Sequence, residues 1–159
     1  MPRVAPRVML TTMARQVAVI GSGAEWEAAA EEVGRLLAER GYAVVTGGLG
    51  EVMAAAHRGA KSAGGATIAI LPGEDRSAAN RWAEHVVVTG IGHARNLAVA
   101  ASGEAVIAIG GSYGTIAEMA LALRLGRTVV ALDGAPAIDG AVRAGSPAEA
   151  VERALRDLG

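Results

Sequence analysis

The sequence predicts an α/β protein: a single doubly wound, Rossmann-like domain with a parallel sheet of about six or seven strands. Three observations lead there. Short runs of Val, Ile, Ala and Leu alternate with longer segments whose apolar residues recur every three or four positions, the pattern of strands feeding crossover helices. Clusters of glycine stand where such runs pass into helical segments. The 159 residues are 52% hydrophobic and 19% charged, a balance that buries a core and argues against a disordered chain.

Residues 1–15 hold Pro2, Pro6 and several arginines without a long apolar run, so they read as a flexible tail and not as a secretory signal. The first strand, VAVIG (17–21), ends in Gly21-Ser22-Gly23. The next segment places Trp26, Ala30, Val33 and Leu37 on one helical face, pairs Glu31 with Arg35 and Arg35 with Glu39 on the other, and stops at Gly41. AVVT (43–46) is the second strand, and Gly47-Gly48-Leu49-Gly50 opens a helix over 51–63. TIAIL (67–71) is a strand stopped by Pro72-Gly73, and GEDRSAANRWAEH is a surface loop with some helix. VVV (86–88) is a short fourth strand.

A helix over 93–102 turns Ala94, Leu97, Ala98 and Ala101 to one face, and AVIAI (105–109) follows as the fifth strand. The helix over 115–125 gathers Ile116, Met119, Ala120 and Leu123, and TVVAL (128–132) reads as the last strand. Ser146-Pro147-Ala148-Glu149 joins an N-cap serine, a proline at the first helical position and a glutamate three residues on, so a helix runs over 147–157. No repeat or linker divides 16–159.

The glycine turns suggest function. In an open parallel sheet, ligands sit beyond the carboxyl ends of the strands, where helix N-termini offer unpaired N–H groups to an anion. Gly21, Ser22 and Gly23, then Gly47, Gly48 and Gly50, then Gly111, Ser112, Gly114 and Thr115 supply three such turns, in which backbone can approach a phosphate and hydroxyls can add donors. The dinucleotide fingerprint is broken, because Trp26 stands where its third glycine belongs, and no G-K-[ST] P-loop occurs. A mononucleotide or a similar phosphorylated small molecule remains.

Other classes are disfavoured. His57, His85 and His93 lack metal-ligand spacing and cysteine is absent, so no metal site is expected and a reducing cytoplasm suits the chain. No apolar stretch approaches the ~20 residues of a membrane span. Fifteen basic against 16 acidic residues leave a net charge of -1, with no basic stripe for nucleic acid.

Gly110-Gly111-Ser112-Tyr113-Gly114-Thr115-Ile116-Ala117-Glu118 resembles the P-G-G-x-G-T-x-x-E motif of the Lonely Guy (LOG) family, often labelled lysine decarboxylase-like. His93-Ala94-Arg95-Asn96 stands in place of that family's M-H-x-R-K segment, and Gly47 to Met53 resembles its G-G-G-x-x-G-L-M segment. The likeness spans about 16–132, with Gly110 for proline, Ser112 for the second motif glycine, Ala94 for glutamate and Asn96 for lysine. It implies a self-associating Rossmann-like protein that hydrolyses purine nucleoside 5′-monophosphates without a cofactor, with Arg95 and Glu118 as the catalytic pair. The departures also resemble compact relatives similar to molybdenum-cofactor carriers, which implies a non-catalytic carrier of a phosphorylated pterin cofactor. A nucleotide sensor, with an AMP-like molecule bound, is a third reading. Under each, the partners are a small phosphorylated ligand and further copies of the chain.

Glu118 has two readings. Thr115-x-x-Glu118 spells a capping box, which would make the carboxylate architectural. Alternatively, the carboxylate stabilises the positive charge that glycosidic cleavage builds on ribose. Arg95, a cation in the first turn of a helix, opposes the helix dipole and so is placed for an anion.

Overall fold

The computed structural model describes residues 13–132 and 134–159. Residues 1–12 of the expected tail lie outside the described residues. Arg15, within the same expected tail, bonds Glu104 at 3.2 Å, and its carbonyl accepts from the Ala43 N–H at 2.8 Å. The strands are β1 (Gln16–Ser22), β2 (Ala43–Thr46), β3 (Thr67–Leu71), β4 (His85–Val88), β5 (Ala105–Gly110), β6 (Thr128–Leu132) and β7 (Val142–Ala144). They form one seven-stranded sheet in the order β4-β3-β2-β1-β5-β6-β7, with every pairing parallel. The fold is therefore the doubly wound α/β sheet that the sequence predicts, and its connectivity reverses between β1 and β5.

β7 corrects the reading that Thr128–Leu132 ends the sheet. It is three residues long and two of them are exposed, so it has neither the length nor the apolar run that marks a strand in sequence.

Alternation along the strands divides the core. Val17 and Val19 of β1, with Ile107 and Ile109 of β5, face α1 (Glu27–Glu39), α2 (Glu51–Ser62) and α5 (Pro147–Leu155). Ala18 and Ile20, with Val106 and Ala108, face α3 (Arg95–Ser102) and α4 (Tyr113–Arg124). The α1 face is the expected one, since Ala30, Val33 and Leu37 are buried. The α3 and α4 faces are not. α3 buries Val99 and Ala100 while Leu97 is 48% exposed, and α4 buries Thr115, Met119 and Ala122 while Ile116 is 38% exposed. Both helices are rich in apolar residues on more than one side, so periodicity alone could not choose the inner stripe.

The α1 charges also re-pair. Arg35 bonds Glu32 and Glu39, whereas Glu31 reaches Arg58 of α2 at 2.9 Å. That cross-helix bridge follows from how closely α1 and α2 meet. A Cβ at Gly34 would overlap the carbonyl of Ala56, and one at Gly59 would overlap the carbonyl of Glu31. Gly34→Ala should therefore force the helices apart and lower stability by about 1–3 kcal/mol. Urea unfolding measures this, and a variant as stable as the parent would refute the close-contact explanation.

Candidate functional site

The carboxyl ends of β1 and β5 open onto a cleft of about 210 Å³ at the reversal point. Among the expected residues, Gly21, Ser22, Arg95, Ser112, Gly114, Thr115 and Glu118 line it together. Met53, His93 and Asn96 line it as well; each lies in a segment that resembles a family motif, yet residue chemistry alone singles out none of them.

Gly23, Gly47, Gly48, Gly50 and Gly111 do not line the cleft, and protein atoms account for most of them. Gly23 packs on Trp26, Gly48 on Ala69 and Leu71, and Gly111 on Thr115. Gly47 is the informative case, because a Cβ there would overlap Arg95 Nη1. The second glycine turn thus makes room for a guanidinium, and the first and third turns supply half of the residues that line the cleft. Gly50 helps line a separate shallow depression with Leu49 and Arg58.

Arg95 begins α3, and its Nη1 donates to the Ile70 carbonyl at 3.2 Å. Burial works against its charge and lowers its pKa, while the field of Glu118 works in the other direction. The two do not close to an ion pair. Half-buried at the positive end of a helix, this cation has, among the described residues, only a neutral acceptor at bonding distance.

Glu118 is not a capping residue. α4 begins three residues earlier than a Thr115 cap requires, so Ser112 is the N-cap and Thr115 lies in the first turn, where its Oγ1 accepts from the Ser112 N–H at 3.3 Å. Glu118 therefore falls a turn farther along the helix, inside the cleft. Burial pushes its pKa up to about 7 against the opposing pull of Arg95. The first-turn N–H groups of α4 have no intrahelical acceptors and stand beside Ser112 at the cleft.

A buried network holds the turn that seats Arg95. The Gly48 N–H donates to Thr46 Oγ1 at 2.9 Å, and the Asn80 N–H donates to the Gly48 carbonyl at 2.8 Å. Asn80 Oδ1 accepts from the Trp82 N–H at 3.0 Å, so its amide nitrogen faces His57 Nδ1 at 3.1 Å as a donor. Nδ1 is therefore unprotonated, and Nε2–H donates to Thr46 Oγ1 at 3.2 Å. Burial lowers the His57 pKa to about 4, against the upward pull of its bond with Asn80, so the ring is neutral at physiological pH.

Two predictions follow from this network. Thr46→Val keeps the shape but orphans two buried donors, at about 1–3 kcal/mol each, and Thr46→Ser should restore most of the loss in thermal unfolding. Because the unfolded His57 protonates near pH 6.5 and the folded one only near 4, its contribution makes stability fall as pH drops through that window. Urea midpoints at pH 7 and pH 5 should differ less in His57→Gln than in the parent, and an unchanged difference would count against the buried neutral ring.

No group of three or more metal-ligating side chains stands together among the described residues, and none of their helices is long and apolar enough to cross a membrane. An uncharacterized protein of Archaeoglobus fulgidus is 43% identical over 139 residues, 86% of this chain and 91% of its own length. The molybdenum cofactor binding protein of the phototrophic bacterium Rippkaea orientalis superposes with a TM-score of 0.85 at 28% identity, covering 94% of this chain and all of that one. The molybdenum cofactor carrier protein of Chlamydomonas reinhardtii gives a TM-score of 0.83 at 32% identity, covering 92% of this chain and 99% of its own. The sequence model of the SLOG cluster4 family matches residues 14–154, and the chain belongs to that family.

Proposed function

We propose that the chain binds and carries a small phosphorylated cofactor of the pterin class, held by its phosphate end. The observation that carries this reading is Arg95, half-buried with no ion pair among the described residues, beside the first turn of α4 and the hydroxyls of Ser22, Ser112 and Thr115. That donor set fits a phosphate. A cleft of about 210 Å³ admits a phosphate and its neighbouring group, leaving the ring system over the exposed rim near His93 and Tyr113. Two solved relatives that bind or carry molybdenum cofactor along nearly the whole length of this chain support the same reading. The residues of this chain bind and orient the phosphate; no bond is broken.

Incubation with a panel of nucleoside 5′-monophosphates tests it. Binding without release of free base is expected, and nucleosides should bind far more weakly than their monophosphates. Equal affinities would remove the phosphate cleft.

Phosphoribohydrolase chemistry on a purine 5′-monophosphate is the second reading, favoured by one observation. A carboxyl with its pKa raised to about 7 is poised as a general acid that can protonate a departing base. Under that reading free base appears, and Glu118→Gln slows its release by roughly 100-fold or more.

Glu118 also sets the pH dependence. A bound phosphate dianion beside it favours the protonated carboxyl, so binding takes up a proton once Glu118 is ionised in the free protein. AMP is already dianionic above pH 7, since a phosphate monoester loses its second proton near pH ~6. Its affinity should therefore fall between pH 7 and 8.5, by at most about tenfold per unit. Arg95 stays charged throughout, and His93 is the other titratable group lining the cleft. Calorimetry should show this slope flattened in Glu118→Gln; a slope that persists would assign the proton elsewhere.

A homo-oligomer is also proposed. Leu97, Tyr113, Ile116 and Leu125 leave an apolar surface along α3 and α4, with Tyr113 87% exposed. Sedimentation at micromolar concentration should show a dimer or larger, and a monomer would contradict it.

A further inference from the structure

The ring of Trp26 occupies ground that this fold usually leaves to a ligand. In a doubly wound sheet, a dinucleotide lies across the crevice between the two strands flanking the reversal, with its pyrophosphate over the turn after the first strand. Here those strands are β1 and β5. The turn after β1 runs through Gly23 into a short 3-10 segment, Ala24–Trp26, before α1 begins.

Glycines from three separate turns enclose the indole. Gly23 follows β1, Gly110 ends β5 and Gly134 follows β6. A Cβ at Gly23 would lie 2.8 Å from Trp26 Cδ1, and one at Gly110 or Gly134 would overlap the ring. All three glycines have positive φ, at 113°, 58° and 85°, so the backbone bends around the side chain at positions that side-chain-bearing residues rarely adopt.

The ring packs against the layer of α1, α2 and α5, while the Arg95 cleft is lined mainly from α3 and α4, with Met53 the one contribution from α2. The two lie back to back. Ser22 pairs with Gly110 in the sheet, and a Cβ at Gly110 would overlap both the Ser22 carbonyl and the indole. One pair of backbone segments thus separates the cleft from the ring.

We infer that Trp26 is a specificity-determining residue: its indole fills the α1 side of the crevice and restricts the ligand to a phosphorylated body of mononucleotide size, excluding dinucleotides. The inference rests on the phosphate-cleft reading for the half of the crevice that stays open. It also gives a physical reason for a tryptophan at the position where the dinucleotide fingerprint requires glycine.

Gain of binding tests it. AMP and NAD are titrated by calorimetry into the parent protein, Trp26→Ala and Trp26→Leu, with circular dichroism to confirm folding. The parent should bind AMP and reject NAD. Trp26→Ala should gain at least tenfold in NAD affinity with AMP affinity kept within about threefold, the scale on which one side chain gates a pocket. If Trp26→Ala does not fold, Trp26→Leu, which also shortens the ring, gives the same comparison. NAD binding by the parent as tight as AMP binding overturns the inference, as does a folded variant with retained AMP affinity and no gain for NAD. Failure of every protein to bind AMP removes the phosphate cleft, and with it the premise of the inference; a gain for NAD alongside AMP binding supports both.

Discussion

The charge of Arg95 is the constraint around which the carboxyl edge of the sheet is arranged. A guanidinium cannot give up its proton at any ordinary pH, so burial imposes a desolvation cost that only hydrogen bonds or opposite charge can reduce. Among the described residues it receives one backbone carbonyl, from Ile70, and the field of Glu118. It also stands at the positive end of α3. The surrounding structure then serves its placement: Gly47 lacks the side chain that would collide with it, Thr46 and Asn80 each bond the neighbouring Gly48, and His57 ties those two residues together. A buried histidine with both ring nitrogens satisfied is a stiff anchor, since neither tautomer change nor protonation is possible without losing a bond. Under the proposed reading, an anion in the cleft would supply the countercharge that no described residue places at bonding distance.

Glu118 makes that withholding conditional. As a full carboxylate in the same cleft it would oppose the charge of Arg95 and repel phosphate, but burial raises its pKa and so favours the protonated form. Protonated, it is a donor rather than a rival acceptor. Stabilising an oxocarbenium-like transition state asks for the opposite, a carboxylate held charged beside the ribose. The same burial that suits retention of an anion therefore weakens the electrostatic half of the hydrolytic mechanism. It leaves proton donation to the leaving base as the chemistry through which a hydrolase of this geometry would act.

Much of the fold was legible because its signals are local. β-branched runs, the Ser146-Pro147 start of α5 and the stop at Gly41 all rest on neighbours within one turn, and each stands where the sequence places it. The glycine turns were legible as features, but the sequence did not show which of them give room to the protein's own side chains. Gly47, Gly48 and Gly111 meet protein atoms, and in sequence nothing separates a glycine that admits phosphate from one that admits Arg95 or Thr115. The capping box failed for a related reason. Ser112 and Thr115 both suit an N-cap, and the choice between them depends on where β5 delivers the chain. The His57–Asn80 contact spans 23 positions, and no local pattern encodes it.

The two misassigned helix faces show what periodicity can and cannot decide. In α4, Met119 belongs to both the expected and the observed inner stripe, while Ile116 and Ala120 turn outward and Thr115 and Ala122 turn inward. A helix facing only water on its outer side would favour polar residues there, and the sequence would then have marked the buried stripe without ambiguity. α4 instead presents Tyr113, Ile116, Ala117 and Ala120 outward, and a charged residue appears on that side only at Arg124. The ambiguity in the sequence is thus itself a physical feature of the molecule: the apolar surface that confuses the reading is surface that the sheet does not cover. Its N-terminal end, at Tyr113, adjoins Ser112 and the turn that lines the cleft. One helix therefore carries both the cleft-lining Ser112, Thr115 and Glu118 on one side and the exposed Tyr113 and Ile116 on another, so its apolar and polar residues are divided between the cleft and an outer face that the sheet does not cover.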